Sequence, residues 1–467
     1  MKISKLITYI FSAVLIYSLY SCAVDRTYEY EAKVENDKWI EEIMKEHYLW
    51  YNNMPELKFN DYFALPVDFL QKIVFKGNGI EKKDIYSYVE VNDTSFTQID
   101  NLTQEKSSYG FEFELITDPT GKTVHTSARV LFVLPNSPAY RAGLKRGDWI
   151  YEVDNARITN DNFGFLMQGG AKTFTLRDLT EVNDELEWLN ERDITISAAE
   201  IVENNPFYVD TTYNIGGRKI SYLVYNKFST GPKDKSTDTQ YLNEMKQIFT
   251  KFKSEAANDF ILDLRYNPGG YLSCGEELAS MLAPSNALGK TFVTLQYNDK
   301  STPATETYKF NSDLSAYNLN LNKIYIITSS FTASTSEAVI NSLKPYMGND
   351  NVITIGESTE GENVALKPFT KDSLDFILWP VVAYVLNADN SGDYSNGITP
   401  TYPISERKYF GPLLPLGDTN ELLLKNTISL ITSGNIVSQS KNKRNNSKIS
   451  KQPTSINLRN HIGSKVK

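Results

Sequence analysis

Asp259-Phe260-Ile261-Leu262-Asp263-Leu264-Arg265 is a short apolar run of the kind a strand takes when it is buried on both faces. No other stretch constrains the fold as much. Before it, Leu242, Met245, Ile248, Phe249 and Phe252 recur at helical spacing. After it, residues 323–328 form a second apolar strand, and residues 334–343 read as a helix with Val339 and Leu343 on one face. Strands that alternate with helices across residues 206–434 predict an α/β layer.

Two features of this block carry chemistry. Tyr266-Asn267-Pro268-Gly269-Gly270 follows the first strand, and its glycines let backbone N–H groups approach a ligand. That suits an oxyanion loop, although a tight strand-to-helix turn uses Gly-Gly equally well. Ser334 stands in Phe331-Thr332-Ala333-Ser334-Thr335-Ser336-Glu337, at the first turn of the second helix. Taken alone it reads as an N-cap. It also suits a nucleophile whose oxyanion is met by helix N-terminal amides.

Upstream, residues 107–201 read as strands with many turns. Ser108-Tyr109-Gly110-Phe111-Glu112-Phe113 opens the block, and Ser137-Pro138-Ala139, Ala142-Gly143-Leu144-Lys145-Arg146-Gly147-Asp148-Trp149-Ile150 and Val153-Asp154-Asn155 follow. This string resembles a PDZ domain over about ninety residues. The resemblance implies peptide binding by strand addition, with Tyr109, Gly110 and Phe111 at the loop where backbone N–H groups meet a carboxylate. Residues 34–99 read as helical: Trp39, Ile43, Tyr48 and Leu49 recur at near-helical spacing, and Pro66 precedes a second run.

D-L-R-x-N-P-G-G followed some sixty residues later by F-T-A-S-T-S-E closely resembles the C-terminal processing (tail-specific) serine peptidases. That family joins a helical N-terminal region, a PDZ domain and an α/β core in this order. The resemblance spans about residues 34–434. It implies a multidomain α/β fold with a mixed, mostly parallel sheet, Ser334 as nucleophile, and oxyanion donors among Gly269, Gly270 and Thr335. It also matches Gly397-Ile398-Thr399-Pro400 to the family's closing turn. Polypeptide is the implied substrate, with no metal or other cofactor.

A serine hydroxyl needs a base. The three histidines are His47, His125 and His461, so the catalytic block has none and a Ser-His-Asp triad cannot be built from it. The family pairs Ser with Lys in G-E-x-T-x-G-K. Here the segment reads Gly356-Glu357-Ser358-Thr359-Glu360-Gly361-Glu362, which places Glu362 at the lysine position, and Leu366 stands four residues on where some members carry an orienting Gln. Lys367 falls on the opposite face if the stretch is a strand, and Lys344 lies ten residues along the serine helix. Three readings follow. The chain is a serine endopeptidase with Glu362 as base, active at mildly acidic pH; a pseudopeptidase that binds peptides or protein C-termini; or a structural envelope protein with an idle cleft.

The ends differ from the body. Lys2 and Lys5 precede an uncharged apolar run that closes on Leu19-Tyr20-Ser21-Cys22. This resembles a lipoprotein signal over residues 1–22, with Cys22 acylated and Ala23 after it directing the protein to the outer membrane; an uncleaved N-terminal anchor and ordinary signal cleavage near Ser21 are the alternatives. Cys274 is then alone and reads as a small buried hydrophobe. Residues 435–467 hold eight basic residues and no acid, and read as a disordered tail. All 57 acidic residues therefore lie in the body, and the net charge of −9 disfavours a nucleic-acid partner. The expected setting is the cell envelope, with the membrane reached through the lipid on Cys22.

Overall fold

A computed structural model describes residues 27–78, 82–91, 107–159, 162–232, 237–437, 454–456 and 463–466. Cys22 and the leader lie outside the described residues.

The expected doubly buried strand, Asp259–Asp263, sits inside a six-stranded sheet. The order is Phe207–Ile215, Arg218–Tyr225, Asp259–Asp263, Ile324–Thr328, Val352–Gly356, Tyr402–Pro403; only the first pair is antiparallel. Successive side chains of a strand point to opposite faces. Phe260 and Leu262 accordingly pack with the helices Gln240–Glu255, Leu272–Leu282 and Thr335–Met347. Ile261 faces the helix Leu422–Ser433 and the PDZ unit, where Leu131 and Phe132 join the same cluster.

Gln240–Glu255 shows why the helical reading succeeds. Tyr241, Met245, Ile248, Phe249 and Phe252 form one buried stripe, and the helix ends at Ala256 with φ +49°. Cys274 is buried on Leu272–Leu282.

The fold holds a second six-stranded sheet. Its order is Gly269–Tyr271, Gly463–Lys465, Val364–Leu366, Val381–Leu386, Thr291–Tyr297, Thr305–Lys309. The first three run parallel and the rest antiparallel. Gly463–Lys465 belongs to the segment expected to be disordered. Residues 454–456 and 463–466 are instead packed on the body, so that expectation fails for them. A composition argument sees only that a basic, Ser/Asn-rich segment cannot build its own core; it does not see a slot between two existing strands.

The PDZ unit is a five-stranded antiparallel sheet, Phe111–Thr117, Thr126–Val133, Trp149–Val153, Lys172–Val182 and Glu185–Ile196, with Ala156–Arg157 paired to the third. Ser137 caps the short helix Pro138–Arg141 by accepting from the Tyr140 amide at 3.1 Å. Asp148 closes the Gly143–Gly147 turn by accepting from the Lys145 amide at 2.8 Å.

The N-terminal helices Thr27–His47 and Pro66–Ile73 pack behind Val364 and Leu366, and Tyr88–Val91 pairs with Phe376–Trp379. Tyr48 and Leu49 lie just past the first helix. There the Tyr48 hydroxyl donates to Asp84 at 2.8 Å and accepts from the Phe75 amide at 3.0 Å.

Buried charge joins the PDZ unit to the core. Arg265 donates to Asp263, Glu406 and Glu421, each at 2.7 Å, and Arg146 of the PDZ unit reaches Glu406 at 2.6 Å.

Candidate active site

Adjacent parallel strands bring the two motifs together. Asp259–Asp263 and Ile324–Thr328 end side by side, and an open α/β sheet presents ligands at such carboxyl ends. The turn before the serine helix is then pinned to the loop after Asp263. Thr332 Oγ1 donates to Leu264 O at 2.8 Å, the Ala333 amide to Asn267 O at 3.1 Å, and Ser336 Oγ to the same carbonyl at 3.0 Å.

Ser334 is fully buried, with φ +59° and ψ −118°. For a non-glycine residue that backbone costs about 1–3 kcal/mol, a strain found at functional turns. It stands immediately before the first helical residue, Thr335, among the amides that have no partner inside the helix. Gly269 faces it: a Cβ there stands 2.7 Å from Ser334 Cβ, so only glycine fits. The Gly269 amide donates to Asn267 Oδ1 at 2.9 Å and is therefore committed elsewhere. Thr335 Oγ1 donates to Gly270 O at 2.8 Å, which holds the second glycine against the helix start.

Glu337 organises the rest, and the sequence reading passed over it. One carboxyl oxygen accepts from the amides of Ser334 and Glu362, both at 2.8 Å. The other accepts from the Gly361 amide at 2.8 Å and from Thr359 Oγ1. One buried carboxyl group thus clamps the serine turn to the loop that carries the base position. Burial pushes its pKa up to about 7, against four donors that pull it down. The Ser-x-x-Glu spacing was the available signal. The closing turn at Gly397 packs on the same loop, with the Ile398 amide donating to Thr359 Oγ1 at 2.6 Å.

Glu362 is completely buried, and among the described residues neither carboxyl oxygen has a hydrogen-bond partner. Its pKa lies well above the usual carboxylate range, chiefly through burial and then through Glu337, Glu360 and Asp84 nearby. A carboxylate base is available only above its pKa, so this shift moves the expected pH dependence upward from the ordinary carboxylate range. The hydroxyl of Ser334 is bonded not to Glu362 but to Ser464 Oγ, at 2.8 Å. Nothing in the tail's composition signalled Ser464.

The PDZ loop also departs from expectation. Tyr109 and Phe111 are buried in the PDZ core. The Tyr109 amide donates to Met167 O and the Gly110 amide to Ser108 Oγ at 3.0 Å, so neither is turned out toward a carboxylate. Gly110 has φ +80°, and a Cβ there lies 2.2 Å from Ser137 Cβ: its role is close packing. The outer edge of the PDZ sheet, Phe111–Thr117, is taken at Phe113 and Glu114 by residues 454–455 of the same chain.

Among the described residues no cluster of three or more His, Cys, Asp or Glu side chains is placed to hold a metal ion, and no helix is long and apolar enough to cross a membrane.

Family models described as Peptidase S41 N-terminal domain, PDZ domain and Peptidase family S41 match residues 35–88, 129–177 and 219–404. The crystal structure of a putative S41 protease from Bacteroides fragilis is 33% identical, covers 84% of this chain and 97% of its own, and superposes with a TM-score of 0.73. The chain belongs to peptidase family S41. Curated S41 relatives include the carboxyl-terminal-processing protease of Picosynechococcus, 27% identical over 50% of each chain, and the carboxy-terminal processing protease CtpB of Bacillus subtilis, 25% identical over 69% of this chain and 62% of that one. The chain thus spans about half the length of the first of these relatives and less than two thirds of the second.

Proposed function

We propose that this S41 protein is a serine-type endopeptidase acting on exported polypeptides, with Ser334 as nucleophile and Glu362 as general base. The observation that carries the reading is Ser334 itself, strained, buried and set against Gly269 at a helix start. Ser334 Oγ attacks the scissile carbonyl, and the amides of Gly270 and Thr335 meet the oxyanion; the Gly269 amide is excluded by its bond to Asn267. Glu362, once ionised, takes the serine proton and returns it to the leaving amine.

The pH dependence follows from the raised pKa of Glu362. Below it the carboxyl group is protonated and cannot accept a proton, so kcat/KM is expected to rise with pH on a limb displaced above the ordinary carboxylate range. Glu362→Gln removes that limb together with the activity, and Ser334→Ala abolishes hydrolysis at every pH. An acidic optimum, or hydrolysis that survives Ser334→Ala, overturns the assignment. A specific observation favours a second reading, a pseudopeptidase that only binds peptides: Ser334 Oγ and the Glu362 carboxyl group are not hydrogen-bonded to each other. Peptide binding without turnover at any pH selects it.

The leader supports a lipid-anchored position in the cell envelope. Cys22→Ser is expected to move the protein from the membrane fraction to the soluble envelope fraction. Unchanged fractionation, with no lipid label on the wild type, rejects the anchor.

A further inference from the structure

Two pieces of the basic tail lie on two surfaces that could receive a peptide. Gly463–Lys465 fills the gap between Gly269–Tyr271 and Val364–Leu366, parallel to both. Gly463 is opposite Gly269; Ser464 is opposite Gly270 and Ala365; Lys465 is opposite Tyr271 and Leu366. The Val466 amide continues the ladder with a 3.0 Å bond to Leu366 O, and its side chain enters the main core cluster. Further back, Thr454 bridges antiparallel to Glu114 on the outer PDZ edge. The Ser455 hydroxyl accepts from the Phe113 amide at 2.7 Å and donates to Phe113 O at 3.1 Å. Ile456 is buried between the PDZ unit and the core sheet.

Strand addition of this kind is how sheet edges take up extended peptides: backbone bonds hold the segment, and alternate side chains select it. The alternation here is readable. Ser464 is buried against Ser334 Oγ at 2.8 Å and Thr335 Oγ1 at 3.3 Å, opposite Gly270, so a small residue is required there. Lys465 points the other way and sets its ammonium 5.0 Å from the centre of the Trp379 ring, a cation–π distance. Val466 contributes apolar burial. Charge favours the pairing as well, because a tail with no acidic residue meets a body that holds all 57 of them. What reaches the nucleophile is a hydroxyl group, so the seated segment is held rather than presented for attack.

We propose that the catalytic slot receives extended polypeptide with a small residue opposite Ser334 and a basic residue against Trp379, and that Gly463–Val466 is its resident ligand, held in cis so that an incoming polypeptide must displace it. The proposal rests on the polypeptide-binding reading of the site and does not require turnover. A flexible tether presents its end at about millimolar effective concentration. Against a segment whose intrinsic Kd is ~0.1 mM, that costs a competing peptide about tenfold in affinity.

The test uses the full-length chain and a fluorescent peptide with the sequence of residues 461–467, followed by anisotropy. Ser464→Trp places a bulk that the slot cannot hold, so this variant is expected to bind the peptide about tenfold more tightly than wild type. A peptide with Glu in place of the lysine at position 465 is expected to bind several-fold more weakly. Equal affinity for wild type and Ser464→Trp, or no binding to the variant, overturns the proposal. Hydrogen exchange on the wild type is independent of how the variant folds. Residues 463–466 are expected to be protected and to lose protection in millimolar peptide; exchange as fast as an unstructured chain overturns the proposal. The two readings fail separately. Displacement without hydrolysis removes the endopeptidase and leaves the cis ligand, whereas hydrolysis with an unprotected tail does the reverse.

Discussion

Glu362→Lys is expected to raise hydrolysis of an unstructured peptide over wild type near neutral pH, because the raised pKa of Glu362 makes it a poorer base there than a Ser-Lys pair; the ~10²–10⁴-fold that a general base typically contributes is the upper bound of that gain. The rest of the machinery is in place: a strained serine at a helix start, a glycine packed against it, and a carboxyl group that clamps the serine turn to the base loop. The pocket around position 362 contains Glu337, Glu360 and Asp84. These acids oppose ionisation of a glutamate there but favour the charged form of a lysine, while burial lowers the lysine's pKa. The net result is a lysine able to lose its proton near neutral pH, which a Ser-Lys pair needs. Leu366 offers that lysine no hydrogen bond, so a gain below that bound is expected from the single change, and Leu366→Gln added to it is expected to raise the rate further. Steady-state kinetics on full-length variants decides. A Glu362→Lys protein that folds, binds peptide and shows no gain places the defect elsewhere than at the base.

Arg265→Met is expected to lower the unfolding free energy by about 3–5 kcal/mol, the cost of removing one partner from a buried ion network. Arg265 is almost fully buried. Its guanidinium holds Asp263, Glu406 and Glu421, while Arg146 holds Glu406 from the PDZ side. Methionine replaces only the aliphatic part of the side chain and strands three carboxylates, of which Arg146 still reaches Glu406 and Glu421. Burial raises the pKa of Glu406, but Arg146, Arg265, the Tyr266 hydroxyl and Arg129 together hold it below its ordinary value of 4.5. Its contribution is therefore present above that value and is lost as pH falls toward its depressed folded-state pKa. Denaturant melts at pH 7 check the prediction, and a loss under 1 kcal/mol contradicts it. Adding Glu421→Gln is expected to recover part of the loss, because it removes one of the stranded charges.

Much of the architecture was legible because it rests on local patterns. The apolar run at residues 259–265 implied a strand covered on both faces, and the i, i+4, i+7 stripe before it implied the helix that covers one of them. Motif order carried the S41 family and with it the sequence of helical region, PDZ domain and α/β core. The substitution at the base position was also visible directly, since Glu362 keeps the surrounding Gly-Glu-x-Thr-x-Gly frame.

Other properties depend on contacts between segments far apart in the chain, and these only the tertiary structure decided. Burial together with three neighbouring acids sets the protonation of Glu362, and no single segment contains both. The Gly110 loop looked open until Ser137 was found packed against it, and even the local bond from the Gly269 amide to the Asn267 side chain, which takes that amide out of the oxyanion site, follows from a loop conformation that the spacing did not specify. The tail was the least legible part of all. A basic, low-hydrophobicity segment has no means of ordering itself, and residues 463–466 are ordered because strands nearly a hundred residues apart, Gly269–Tyr271 and Val364–Leu366, leave a gap whose backbone groups they complete.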